Sequence, residues 1–362
     1  MEKFTNVKSI QFKVLYDVCG CVNFDGPETV NTLKSLGLFR PVGNQGYNNN
    51  KFAKRHFSPE DPKLFKYCIS GECLKKAIFG DTMYLESPDR MRMPHVMPMI
   101  AAHPDLIIRG YVTASKVTKL QRASALCFPD AEELAPWRDT IVMDFHSRSG
   151  EKKLNAEKKD GDEKDTTIYK IENVGKGIYQ NEGSIDIEKL QFISADPIFD
   201  RQAIEADGGI DESIFLNSLK ENMINFTPEI KYWYRENNYL ADIAAERGVL
   251  LNSESIDMLI RRTLKKIMNI SITRSYSWAK FKSMTITVIC DEMPDPFTID
   301  HNNIDDFYFD PHIWYQEATA EQIEANHRLK LEMEAAEAKA KAEEKAKKAT
   351  SKNNNKADIT GE

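Results

Sequence analysis

Apolar and polar residues alternate from Lys8 to Cys21, with Ile10, Phe12, Val14, Tyr16 and Val18 on one side and Gln11, Lys13, Leu15, Asp17 and Cys19 on the other. A period of two predicts a strand with one face on a core. Asp25-Gly26-Pro27 ends the pattern. Arg40 to Lys66, with Gly43, Gly46, consecutive asparagines from Asn48 and several prolines, predicts a long irregular connection. Ser70 predicts the N-cap of a helix over Gly71 to Phe79 that Gly80 stops, with Cys73, Leu74, Ala77 and Ile78 on its apolar side. From Thr82 to Ile100, methionines are interleaved with Pro88, Pro94 and Pro98, which predicts extended or looped chain, because proline lacks an amide and restricts the residue before it.

Further along, Leu106 to Ala114 and Ile141 to Phe145 predict strands, and Ser147 to Thr167 a solvated excursion. Ile168 to Ser194 predicts a hairpin with turns at Gly175, Gly177 and Gly183. Asp196 to Asn252 predicts mostly helix, with Tyr232, Trp233, Tyr234 and Tyr239 for packing. The clearest amphipathic helix runs from Glu254 to Met268, where Ile256, Leu259, Ile260, Leu264, Ile267 and Met268 share a face and Asn252 or Ser253 caps the start. Its acids lead and its bases close, which suits the helix dipole and is a sufficient structural reason for those charges. Met284, Ile286, Val288 and Cys290 predict a last strand. From Glu321 the chain turns to Ala, Glu and Lys, so residues 1–320 are expected to hold the fold and 321–362 an exposed helical tail.

Composition narrows this picture. The chain has 362 residues, 41% hydrophobic and 29% charged, which excludes wholesale disorder. No apolar run reaches the roughly 18–20 residues of a membrane helix, and Met1 to Ser9 lacks signal-peptide order. Six cysteines, none spaced as CxxC, suit reduced thiols in a cytoplasmic protein without a disulfide framework. The formal net charge of -7 argues at first against a nucleic-acid partner. Its distribution argues the other way: Arg40 to Arg122 carries 14 basic against 7 acidic residues, and Ile260 to Lys282 carries 7 basic and no acidic ones. Two basic segments in an acidic body suit a protein that grips a polyanion on one face.

No Walker loop, GxGxxG, GxSxG or HExxH is present, and no histidine–cysteine spacing predicts a metal or a cofactor. Asp25 could polarise a nucleophile, although Asp before Gly is first of all turn chemistry. His56 could act as an acid only with a partner the sequence does not identify. Polyanion binding has broader support. Lys51, Lys54 and Arg55 stand among Tyr47, Phe52 and Phe57, cations for phosphate interleaved with rings that can stack on bases. A helix beginning at Ser70-Gly71 offers amides and a positive dipole end, with Lys75 and Lys76 beside its apolar stripe. Arg274, Tyr276, Trp278 and Lys280 alternate before the last strand.

The order strand, basic loop, capped helix, strands with insertions, amphipathic helix, final strand resembles the crRNA-coating backbone subunit of Cascade-like CRISPR effector complexes. Cys68-Ile69-Ser70-Gly71-Glu72-Cys73-Leu74-Lys75-Lys76-Ala77-Ile78 is similar to that family's serine-capped basic helix. Arg274 to Lys280 occupies the place of its glycine-rich loop, without the glycine. The resemblance implies an α+β fold, with an RNA-recognition-motif-like (ferredoxin-like) palm carrying large insertions and a thumb hairpin. It implies that Lys54, Arg55, Ser70, Lys75 and Lys76 hold crRNA phosphates, and that the thumb is either the stretch around Arg90 and Arg92 or the hairpin after His146. Implied partners are crRNA, a target nucleic acid with DNA ahead of RNA, further copies of the chain head to tail and other effector subunits. A non-catalytic role is expected. The rivals are target-RNA cleavage by Asp25 with a divalent metal, and a protein scaffold acting through the tail.

Overall fold

The computed structural model describes residues 2–25, 27–39, 50–85, 87, 89, 93–113, 120–149, 166–199, 201–205, 209–227, 229–235, 244–274, 277–290 and 297–357. The fold is mixed α and β, and the chain forms two units, each assembled from three segments. The first unit is Met1–Tyr84, Leu126–Asp186 and Met258–Phe309; the second is Leu85–Ala125, Ile187–Asp257 and Asp310–Glu362.

The first unit is built on a sheet whose main path uses β1 (Glu2–Cys19), β2 (Arg55–Phe57), β3 (Phe65–Ile69), β4 (Ala131–Glu133), β5 (Lys176–Asp186), β6 (Ser271–Arg274) and β7 (Ser277–Cys290). Their order is β6-β7-β1-β5-β4-β3-β2, and every neighbouring pair is antiparallel. The alternation in β1 works as the sequence predicts: Ile10, Val14 and Tyr16 are wholly enclosed, and Gln11 and Lys13 are exposed. Helix α1 (Gly71–Phe79) connects β3 to β4, and α2 (Ser253–Met268) precedes β6 and β7. Ser70 caps α1 by accepting from the Cys73 amide at 3.2 Å. Asn252 caps α2, its Oδ1 accepting from the Ser255 amide at 3.1 Å. Leu259, Ile260, Leu264 and Ile267 are fully buried, as the spacing of α2 predicts.

The expected irregular connection from Arg40 to Lys66 is corrected in its second half. Asn50–Ala53 and β2 are strands there; residues 40–49 and Tyr47 with them lie outside the described residues. Val30, Leu33, Phe39 and Phe52 form a separate small core under Asn50–Ala53, with Phe39 edge-on to Phe52 at 4.8 Å. The expected hairpin over Ile168–Ser194 is corrected: Thr166–Glu172 and β5 follow one another but belong to different sheets, Gly177 and Gly183 lie inside β5 opposite β1, and Thr166–Glu172 pairs instead with Met143–Ser149. Most of the predicted solvated excursion, residues 150–165, lies outside the described residues.

The second unit has a four-stranded sheet in the order Phe192–Ser194, Glu246–Leu250, Lys231–Arg235, Tyr315–Glu317. Three expectations fail here. Asp196 to Asn252 is not mostly helical: among its described residues only Ile210–Glu221 is α-helix, and Trp233, buried between half-buried Tyr232 and Tyr234, follows a strand's period. Leu106 to Ala114 begins as helix, because Pro104 sits in the first turn and His103 accepts from the Asp105 amide at 3.2 Å, so β-branched Ile107 and Ile108 are held helical by packing. Val96–Ala102 is helical despite Pro98, which falls in the first turn where its missing amide costs no hydrogen bond. Buried Arg122 ties this unit together, donating to the carbonyls of Ile107, Phe192 and Lys189 at 2.7–2.9 Å. The tail forms the helix Ala320–Ala357. No described helix is long and apolar enough to cross a membrane.

Candidate nucleic-acid interface

Register brings the ends of three central strands level. Cys19 at the end of β1 stands opposite Lys176 at the start of β5 and Trp278 near the start of β7. Gly20 then turns the chain away with φ +70°, a left-handed conformation suited to glycine, and donates to the Gly175 carbonyl at 3.3 Å. Beyond this end opens a cleft of about 690 Å³, lined among others by Cys19, Cys21, Phe24, Lys51, Lys176 and Arg274. Lys51 lies 5.7 Å over the Phe24 ring. Asp144 and Glu172 also line the cleft, but Glu172 is spent internally: it accepts from Tyr67 at 2.7 Å and the Ala53 amide at 2.9 Å, and it pairs with Arg55. Among the described residues, the cleft is thus lined by three cations from three segments, and of its two carboxylates Glu172 is engaged inside the protein.

Arg274 also reaches α1. Burial pushes the Cys73 thiol pKa up, while the nearby charges of Arg274 and Lys76 oppose the rise. Lys76 is exposed on α1, and Lys75 bridges back to Glu72 at 3.5 Å. On β7, exposed Lys280 stands 5.6 Å over the Trp278 ring, and Lys282 pairs with Asp17 at 3.1 Å. Lys51, Lys76, Arg274, Trp278 and Lys280 thus belong to one unit and, through the cleft, the shared proximity of Arg274 and Lys76 to Cys73 and the strand register, to neighbouring surfaces of it. Arg90, Arg92 and Tyr276 lie outside the described residues.

Two expectations change. Arg55 does not face solvent: its side chain is wholly enclosed, ion-paired with Glu172 and stacked 4.5 Å over Phe65. A guanidinium so committed has no reach to a phosphate. The start of α1 is also already occupied, since the Gly71 amide donates to Asp130 Oδ1 at 2.8 Å and Ser70 serves as cap. The dipole end that the sequence offers to a phosphate is taken by the chain's own carboxylate. Lys54 is held there too, its Nζ 2.6 Å from Asp130 Oδ2. Burial lowers its pKa, but the bond and charge of Asp130 outweigh that and leave it raised.

Sequence reasoning missed Phe24 and Lys176. The second had a signal, a lysine between Gly175 and Gly177 where the sequence predicts a turn. The first had none, because its partner strand was read as loop.

Residues 6–293 match the family described as Type I-Fv CRISPR-associated protein Cas7fv-like. No curated protein matches the chain. Among solved structures, the chain is similar to one titled "CRISPR RNA-guided surveillance complex", with 6% identity over 79% of this chain and 71% of the other at a TM-score of 0.33. Another, "CRISPR RNA-guided surveillance complex, pre-nicking", shows 7% identity over 78% and 77% at a TM-score of 0.37.

Proposed function

We propose, on the premise that this chain belongs to the Type I-Fv CRISPR-associated Cas7fv-like family, that guide-RNA phosphates lie in the cleft of Lys51, Lys176 and Arg274 and continue past Lys76 and Lys280. Membership makes the chain a crRNA-coating backbone subunit of a type I interference complex. The observation that carries the placement is the convergence of cations from three separate segments on one cleft beside Phe24 and close to Trp278. Phosphate contacts give affinity and the rings offer stacking surfaces for bases.

The palm reading rests on topology. Within the main sheet, β7-β1-β5-β4 are adjacent and antiparallel, with α1 before β4 and α2 before β7. That is the strand order and helix placement of an RNA-recognition-motif-like palm, with the remaining segments as insertions. The hairpin containing Met143–Ser149 and Thr166–Glu172 is then the better thumb, because its arms pair beside the cleft that Asp144 and Ile171 line.

The role is proposed as non-catalytic. Asp25 sits in a short strand opposite Phe52, where its charge acts on Lys54. The normal chain incubated with target RNA and divalent metal should leave it intact; cleavage that Asp25→Ala abolishes would restore the nuclease reading. Copies are proposed to assemble head to tail along the guide, an open heterologous contact, presenting its bases to a DNA target.

Guide-RNA affinity measured across a salt series tests the cleft. Each of Lys51→Ala, Lys176→Ala and Arg274→Ala should weaken binding and lower the salt slope by about 0.7, the increment of one phosphate contact on a single strand. Unchanged slopes in all three would remove the cleft from the RNA path.

A further inference from the structure

His56 on β2, Cys68 on β3 and Asp130 just before β4 come from three adjacent strands, and one ligand atom of each lies within 4.8 Å of the others. Strand pairing places them: His56 is opposite Lys66 two positions from Cys68, and Cys68 is opposite Glu132 two positions from Asp130. His56 Nε2 is 3.0 Å from Asp130 Oδ2, and Cys68 Sγ is 4.0 Å from the same oxygen. We propose that these three residues form a binding site for a zinc-type transition metal ion in the first unit, with Glu132 as the outer group that orients the histidine.

The donor set selects the metal. Imidazole, thiolate and carboxylate together suit zinc, whereas a thiolate argues against magnesium and calcium. Bonds of about 2.0–2.3 Å in a tetrahedron put ligand atoms about 3.3–3.6 Å apart, so Cys68 needs to close on the other two by up to roughly 1 Å while the His56–Asp130 pair opens slightly. His56 and Asp130 are already aimed. Glu132 Oε1 stands 2.6 Å from His56 Nδ1, the carboxylate–histidine arrangement that fixes the ring and leaves Nε2 for a metal. The Gly71 amide holds Asp130 Oδ1 and turns Oδ2 toward the cluster. Oδ2 already carries a cation, the Lys54 ammonium at 2.6 Å. A divalent ion takes that place, Lys54 leaves it, and Cys68 gives its thiol proton to solvent. Neutral His56 with anionic Cys68 and Asp130 balances the charge of two, and three protein ligands leave a fourth position for water. Bound there, the ion ties β2 and β3 to the segment that caps α1.

Cobalt(II) titration of the full-length, metal-depleted, RNA-free chain reads this directly. One equivalent should produce the visible bands of tetrahedral cobalt with a thiolate-to-cobalt charge-transfer band in the near ultraviolet, and zinc should abolish both. Cys68→Ser should lose the charge-transfer band, while Cys127→Ser, at an exposed thiol, keeps it. Should Cys68→Ser fail to fold by circular dichroism, His56→Gln, at a partly exposed ring, gives the decision by losing tetrahedral cobalt. An absent spectrum in the normal chain, or one that survives Cys68→Ser or His56→Gln in folded protein, leaves the cluster an ion-pair network and overturns the proposal. The assay contains no RNA, so its outcome is independent of where the guide lies.

Discussion

Arg55 and Lys51, four residues apart, show how far local sequence determines a side chain's work. Both are basic and both neighbour Phe52, yet Lys51 is exposed at the cleft and Arg55 is enclosed with Glu172, a residue 117 positions away. Nothing near Arg55 in the chain announces that partner. Removing one member of a buried ion pair strands the other, at a cost of about 3–5 kcal/mol. Arg55→Ala should therefore lower the denaturation midpoint markedly, whereas Lys51→Ala, at an exposed side chain, should lower it far less while weakening RNA binding. Equal stability losses in the two would show that burial does not separate them. Gly71 marks a second residue-scale constraint, since a Cβ there would stand 2.1 Å from the Phe128 carbonyl oxygen. Gly71→Ala should destabilise the fold even though alanine favours helix, and a neutral melting curve would contradict the close packing.

Among the elements, those whose pattern matches their burial were legible. β1, α1 with its Ser70 cap and α2 with its apolar face stand where alternation, capping and helical spacing predict them. The failures have physical causes in common. Pro98 suggests a helix break but falls in a first turn, and the Ile107–Ile108 pair suggests a strand although packing behind Pro104 makes it helix. Tyr232 to Tyr234 was read as helical packing because the partner strands Glu246–Leu250 and Tyr315–Glu317 lie far away in sequence. The candidate site divides in the same way. Lys51, Lys76, Arg274, Trp278 and Lys280 were legible as basic and aromatic segments; the internal commitments of Arg55 and Gly71 were not, since each depends on an acid supplied by another strand. Leu264, fully enclosed on α2, should cost about 2–5 kcal/mol when cut to alanine. The loss is read as a shift in denaturant midpoint, and a shift below 1 kcal/mol would show α2 loosely packed.

For the whole molecule, the formal charge of -7 conceals a basic cleft in the first unit. The family match covers residues 6–293 and so reaches into both units, while the helix Ala320–Ala357 lies beyond it. Truncation after Glu321 should accordingly leave guide-RNA affinity intact, provided the shortened chain folds by circular dichroism; a large loss of affinity would assign the tail to the RNA interface. A crRNA-coating subunit must assemble in copies along its guide RNA. The most direct test is the mass, by light scattering after size exclusion, of particles formed with guide RNAs of increasing length at low salt, where phosphate contacts are strongest. Nuclease-sensitive particles whose mass rises stepwise, one chain at a time, are expected as the RNA lengthens. A monomer that elutes without RNA at every length would contradict it.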